Sequence, residues 1–327
     1  MTFCLMRFLT RRRSSSRMQT CAGVVDRSVG RVVDRFVARF VTRFVLCLVT
    51  LFGLLTLTLA SVDGAAVDAS PSSAGALAPK AQVRWLQRAA RDGTLAQLDD
   101  AQLVALFTAL NPDTLARYIA AGPNGYASCQ FVMRHRERID GRWPALADHL
   151  LVRVAHDPLR LYVRWLPDGA HAGQEVLYDA THRGDEMYGH LGGLLGAVSM
   201  WTQLDGTFAR SQSHHRLTEL GTEAIAQHFL HNYARLSAAG AGRPSRIAAE
   251  TRNGVRVVTF TWETPAGAHG LLASRETLGL DLRHPWFRTV EAYDGEGRLV
   301  EDIVIERIEP QTFDALTFDA RNPDYRF

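Results

Sequence analysis

From residue 128 onward, apolar side chains return at every second position, and this alternation constrains the fold more than any other feature of the chain. Cys129, Phe131 and Met133 alternate with Gln130, Val132 and Arg134. Leu150, Val152 and Val154 alternate with Leu151, Arg153 and Ala155. Leu159, Leu161, Val163 and Trp165 alternate with Arg160, Tyr162, Arg164 and Leu166. Successive strand residues point to opposite faces, so each segment predicts a strand with one apolar face. Asp140-Gly141 and Asn253-Gly254 sit between such segments and read as turns. Further strands are expected over 176–180, 246–251, 255–262, 278–283, 287–293 and 299–308. A sheet that is apolar on one side must curl on itself or be covered.

Helical spacing occupies the region before this sheet. Val83, Leu86 and Ala90 share one stripe, and Leu103, Leu106, Phe107 and Leu110 share another. Asp99 or Asp100 can cap the second helix. Asn111-Pro112 ends it and opens a third, which runs to Gly122-Pro123. Residues 217–239 predict the longest helix, with Leu220, Ala224, Ile225, Phe229 and Leu236 on its core side. Early helices, one mid-chain helix and many strands give an α+β chain.

The first 66 residues read as a targeting segment. Ten arginines and only two acids lie within residues 1–43, a net +8, and Phe44–Ala60 is a 17-residue run without a charge. Basic residues, an apolar run and then small residues make a secretory signal, centred on about residues 18–66. An uncleaved inner-membrane anchor is the alternative, because the run is at the short edge of a membrane span. Both place the rest of the chain outside the cytoplasm, in the periplasm. Residues 67–80 read as a flexible linker, 81–122 as N-terminal helices and 123–327 as a β domain. Beyond residue 43 there are 27 bases and 32 acids, a net −5, so the formal +3 of the whole chain belongs to the leader. An acidic body disfavours a nucleic-acid partner.

Residues 280–301 (LDLRHPWFRTVEAYDGEGRLVE) resemble the late strands of the periplasmic lipoprotein carriers, the LolA/LolB-like fold group. Residues 128–141 (SCQFVMRHRERIDG), 157–178 (DPLRLYVRWLPDGAHAGQEVLY) and 318–327 (FDARNPDYRF) resemble more specifically an uncharacterised bacterial family, domain of unknown function 1571, of the same fold group. The resemblance implies a half-open antiparallel β-barrel, LolA-like, with helices as plug or lid and an apolar interior for acyl chains. In the carriers an arginine precedes the strand-initiating proline and helps to latch the lid; here Asp157 precedes Pro158, so that latch is not carried over.

With that fold, Phe131, Met133, Leu150, Val152, Val154, Leu161, Val163 and Trp165 become candidates to line a cavity for a hydrophobic ligand, an acyl chain, a lipid or a lipoprotein. The Gly-rich apolar stretch 189–201 suggests a lid through Leu191, Leu194, Leu195, Met200 and Trp201. A closed core serving an interaction module accounts for the same alternation. Chemistry is sparse. His214-His215 and the i, i+3 pair His228 and His231 are weak metal candidates, the basis for an alternative His-dependent hydrolase. No HExxH, CxxC or G-x-S-x-G motif occurs, and no cofactor is called for. Cys129 falls on an apolar strand face, where a thiol behaves as a small hydrophobe. The run Arg134–Arg138 (RHRER) reads as a solvated strand end, with a docking surface for acidic or phosphate groups as the other reading.

Overall fold

Strand pairing in the computed structural model follows the alternation directly. The structure describes residues 70–327, apart from 194, 195, 197, 266–270 and 272. The basic leader, the apolar run 44–60 and the lid positions Leu194 and Leu195 lie outside the described residues. Eleven strands form one antiparallel sheet: β1 Ser128–Glu137, β2 Asp148–His156, β3 Leu159–Trp165, β4 Glu175–Asp179, β5 Glu186–His190, β6 Met200–Gln203, β7 Arg246–Arg252, β8 Val255–Glu263, β9 Arg275–Asp281, β10 Phe287–Tyr293 and β11 Leu299–Pro310. Their spatial order is β6-β5-β4-β3-β2-β1-β11-β10-β9-β8-β7. Two meanders, β1–β6 and β7–β11, are therefore joined only where β1 pairs with β11. β6 and β7 are left as edges, so the sheet is open. The pairing register shifts between Val132 and Met133, between Phe287 and Thr289 and between Ala292 and Tyr293. Such bulges bend a sheet and increase its twist, as a half-open barrel requires.

The turns are set by local chemistry. Asn253 (φ 46°) and Gly254 (φ 78°) form the two-residue loop between β7 and β8, and Asp140 (φ 48°) and Gly141 (φ 75°) repeat the pattern after β1. Two consecutive positive φ values match the right-handed twist of a hairpin, and Asn, Asp and Gly tolerate them best.

Helices α1 (Pro79–Arg91), α2 (Asp100–Ala109) and α3 (Thr114–Ala121) lie against the β7–β10 half. Pro79 occupies the first turn of α1, where its missing N–H costs nothing. Asp99 closes a capping box at α2: its side chain accepts from Gln102 N at 2.8 Å, and Gln102 accepts from Asp99 N at 3.0 Å. Buried Gln82 joins the helices. It donates to Gly75 O at 3.0 Å and accepts from Asn111 N at 3.0 Å and from Thr114 Oγ1. The expected linker thus ends in structure: residues 74–76 form a 3-10 turn with Ala74 buried against this layer.

The predicted long helix starts later than its apolar pattern. Leu217–Glu219 is a 3-10 turn, and α4 runs Thr222–Ala238. Gly221 between them has φ 103° and ψ −179°, a conformation that only glycine adopts readily. The break rotates the helix, so that Ala226, Phe229, Tyr233 and Leu236 are buried while Ala224 and Ile225 are half-buried. Phe229 anchors α4 on the β7–β10 half, its ring 4.9 Å from that of Phe287 and 5.4 Å from that of Trp262.

The other face of β2–β4 is covered by the C-terminal tail. Phe313, Phe318, Tyr325 and Phe327 pack on Ala155, Tyr162 and Leu177, and the Tyr325 ring stacks on Tyr162 at 3.9 Å. Arg326 N donates to buried Glu175 at 3.2 Å.

Val163 has no exposed surface, whereas Arg307 on β11 is largely solvated. Val163→Arg should cost more than about 3 kcal/mol or prevent folding, because an unpaired charge would be buried. Arg307→Ala should stay within about 0.5 kcal/mol. Urea unfolding of both variants measures the difference, and equal midpoints would refute the facing of β3.

Candidate functional site

The inward face of β1–β3 gathers most of the expected ligand-facing residues. Phe131, Met133, Leu150, Val152, Val154, Leu161 and Val163 are buried in one cluster with Cys129, Tyr178 and Ile305. Trp165 is half-buried at its margin. The register explains the grouping: Phe131 faces Val152, Val152 faces Val163, and Met133, Leu150 and Trp165 form the last apolar row. Burial pushes the Cys129 thiol up to about 11, with the Glu223 charge adding to the effect, so it stays protonated and unreactive.

Among the described residues no strand covers this cluster. Its cover consists of Leu204, Leu217, Leu220 and Ile225, all half-buried, from the segment between β6 and α4 and from the first turn of α4. Gly221 bends the chain over the Phe131 ring, and a Cβ there would sit 3.4 Å from two ring carbons. Three of the expected lid residues are described, and none of them is in this cover. Trp201 on β6 packs against Tyr188, whose other neighbour is Phe327 of the tail, so it belongs to the outer face. Met200 is exposed at the sheet edge, and Leu191 is half-buried.

Past the last apolar row the inward face turns polar. His135 and Glu137 continue the parity of Phe131 and Met133, and both are 8% exposed. Glu137 lies directly opposite Glu301 in the β1–β11 ladder. Like charges in that position repel. The cover brings the compensating groups. Glu137 accepts from Ser213 Oγ at 2.8 Å and from His214 N at 3.1 Å, and His214 Nδ1 is 2.7 Å from its Oε1. His215 Nε2 lies 2.8 Å from Glu301 Oε1, and His135 Nε2 lies 3.4 Å from the same oxygen. The Glu301 carboxylate raises His215 to about 9. Burial pushes Glu301 up, but the imidazoles of His135 and His215 outweigh it and hold the acid below the ordinary carboxylate range.

His214 and His215 are thus ion-pair partners that tie the cover to the barrel rim. His228 pairs with Glu276 at 3.4 Å on another part of the inward face, and His231 is exposed on α4. The structure brings two of the four candidate histidines together, not four. Among the described residues no group of three His, Cys, Asp or Glu is placed to hold a metal ion. The RHRER run is not a simple solvated end. Arg134 pairs on the outer side with Glu306 and Asp168, each at 2.9 Å, while His135 and Glu137 turn inward. Beside them opens a cavity of about 450 Å³, bordered by His135, Glu137, Arg142, Leu146 and His171. Sequence reasoning missed His135, Glu137 and Glu301. The available signal was parity: 135 and 137 are in step with 129–133, and 301 with 303 and 305.

Residues 126–327 match the model of the family described as a protein of unknown function, DUF1571. This chain belongs to the DUF1571 family. No curated protein matches it. Among solved structures, the DUF1571 chain is similar to an uncharacterized conserved protein from Thermus thermophilus, with 11% identity, 62% of this chain and 90% of that chain covered, and a TM-score of 0.33. It is similar to a putative outer membrane lipoprotein-sorting protein domain from Vibrio parahaemolyticus, with 14% identity, 64% and 97% coverage and a TM-score of 0.30. A LolA superfamily protein from Nitrosomonas europaea matches with 10% identity, 62% and 96% coverage and a TM-score of 0.25. The DUF1571 chain is α+β, with one open antiparallel sheet packed against helices.

Two outcomes test the cover and its latch. The raised pKa of His215 means that the folded chain holds this proton more tightly than the unfolded chain. The stabilisation is complete below 6.5 and is lost as pH rises through about 9. The melting-temperature gap between wild type and His215→Gln should be widest near about pH 6 and close towards about pH 9; a pH-independent gap would contradict the ion pair. Gly221→Ala should cost about 1–3 kcal/mol in chemical unfolding, the strain of a side chain in that backbone region.

Proposed function

We propose that this protein is an exported, non-enzymatic component of the cell envelope that binds a hydrophobic ligand, an acyl chain, a lipid or an acylated protein, on the inward face of its half barrel. One observation carries the reading. The apolar cluster of β1–β3 is sealed by Leu204, Leu217 and Leu220, all half-buried on a segment with little regular structure, together with Ile225 of α4, and polar contacts to Glu137 and Glu301 hold that segment down. Lifting it exposes Phe131, Met133, Leu150, Val152, Val154, Leu161, Val163 and Trp165 together, while α1–α3 and the β7–β10 core stay packed. A fold that needed only a closed core would gain by sealing this face with fully buried residues. The basic leader and apolar run supply the export half of the reading, and they place the ligand face where envelope lipids are found. Met200 and Trp201 on the edge strand β6 are then a contact for the lipid donor or acceptor.

Extraction and mass spectrometry of the protein purified from the periplasm should release a co-purifying lipid, and a fluorescent fatty acid should bind with micromolar affinity or better, on the order of 8 kcal/mol. Leu220→Arg, at a half-buried cover position, should change that affinity at least about fivefold and leave the fold intact. Absence of both co-purifying lipid and fatty-acid binding would sink the proposal.

A further inference from the structure

β6 and β7 are the two edges of the sheet, and they are built differently. β6 has four residues. β7 has seven, and it pairs with β8 from Arg246 opposite Thr261 to Arg252 opposite Val255 without a register shift. It carries no proline, lysine or bulge, the devices that blunt an edge against pairing. The two-residue loop Asn253-Gly254 fixes which of its backbone groups are used. Arg252 and Val255 close the hairpin as a hydrogen-bonded pair, so Glu250, Ala248 and Arg246 also aim their N–H and C=O groups at β8. Ile247, Ala249 and Thr251 aim theirs away from β8, and among the described residues no strand pairs with that side.

Beside this edge lies a cavity of about 190 Å³ whose floor belongs to the hydrophobic core. Phe107, Leu110, Leu115, Phe260 and Trp262 border it, and all five are buried. Ile247, directly opposite Phe260 in the ladder, borders it from the edge strand. A cavity of about 150 Å³ with an apolar lining takes up one benzene ring, so this one has room for one aromatic side chain. No carboxylate borders it, but two arginines do, Arg243 and Arg246. Both are exposed, and neither has a carboxylate within ion-pair distance among the described residues. The nearby acid Asp113 is engaged elsewhere, by the Tyr233 hydroxyl at 2.9 Å and by Arg117 at 3.5 Å. By alternation Arg246 shares the outer side of β7 with Arg252, while Ile247 and Ala249 pack inward.

An antiparallel chain added along β7 meets all of these features at once. Its backbone pairs with Ile247, Ala249 and Thr251. The side chain opposite Ile247 turns inward, to the cavity. The side chains before and after it turn outward, beside Arg246, where a carboxylate finds a free guanidinium.

We propose that β7 is a docking edge for an acidic peptide strand of a partner protein, taken up as an added strand with one aromatic side chain in the cavity. The site is separate from the inward face of β1–β3 and does not depend on the ligand-binding reading above.

The test is fluorescence anisotropy of the full chain with a labelled, capped heptapeptide, Thr-Val-Glu-Phe-Glu-Val-Thr. It should bind with a Kd of about 100 µM or tighter. Replacing its phenylalanine by alanine should weaken binding at least about tenfold. N-methylation of the phenylalanine, whose N–H meets Ile247, should also cost at least about tenfold, whereas N-methylation of the glutamates, whose N–H groups face away, should leave binding within about twofold. Arg246→Glu, at an exposed position, should weaken binding at least about fivefold, and a peptide with lysine in place of glutamate should bind this variant better than wild type. A heptapeptide that does not bind, that tolerates methylation at its phenylalanine or that ignores Arg246→Glu overturns the inference. So does a peptide-free chain that sediments as a dimer and becomes a monomer on Arg246→Glu, because the occupant of β7 is then a second copy. Fatty-acid binding should be unchanged in Arg246→Glu, so the two readings fail separately.

Discussion

The pairing of β1 with β11 is the contact on which the rest of the structure depends. Strand order runs through two meanders that share no other seam, so residues 128–137 must find residues 301–310 before the inward face exists as one surface. Such a long-range closure costs chain entropy without local reward, and the contacts around it must repay that cost. At one end of the seam the repayment is apolar, through Phe131, Met133 and Ile305. At the other end the seam sets Glu137 directly against Glu301 on the inward face. Two buried carboxylates side by side are unstable unless cations reach them. His214 and His215 arrive from the cover, and His135 stands between the acids.

The cover is therefore bound by the seam's own electrostatic need. Its apolar contribution is modest, four half-buried side chains, and its polar attachment is concentrated at two acids. Attachment of this kind holds a segment in one place without fusing it into the core, which is the property a ligand-admitting face requires. The β7–β10 half shows the contrast. There α1–α3 and α4 meet the sheet through fully buried aromatics such as Phe107, Phe229, Phe260 and Phe287, and Phe107 meets Phe260 edge-on at 5.2 Å.

Much of the fold was legible in the sequence because strand facing obeys a period of two and hairpin turns need positive φ. The strands from 128 to 165, the turns at Asp140-Gly141 and Asn253-Gly254 and the Asp99 cap all lie where local chemistry places them. The long helix was misplaced at its start because an apolar pattern continues through Leu217 and Leu220, and the break depends on the backbone angle of Gly221. The RHRER run read as solvated because composition outweighed parity; His135 and Glu137 are charged-type residues in buried phase. Tyr162 reads as a residue of the polar face, but the tail that shelters it lies far away in the chain.

By itself the sequence determined the local alphabet of this protein: which segments are strands, which face of each is apolar, where the chain turns, and that an acidic body follows a basic leader. These are matters of neighbouring residues, governed by side-chain period and backbone sterics. Tertiary structure alone decided what lies opposite what. The confrontation of Glu137 with Glu301, the choice of His214 and His215 to answer it and the origin of the cover all follow from pairing residues about 80 to 165 positions apart. No local rule encodes a pairing at that separation, because it is selected by the packing of the whole sheet.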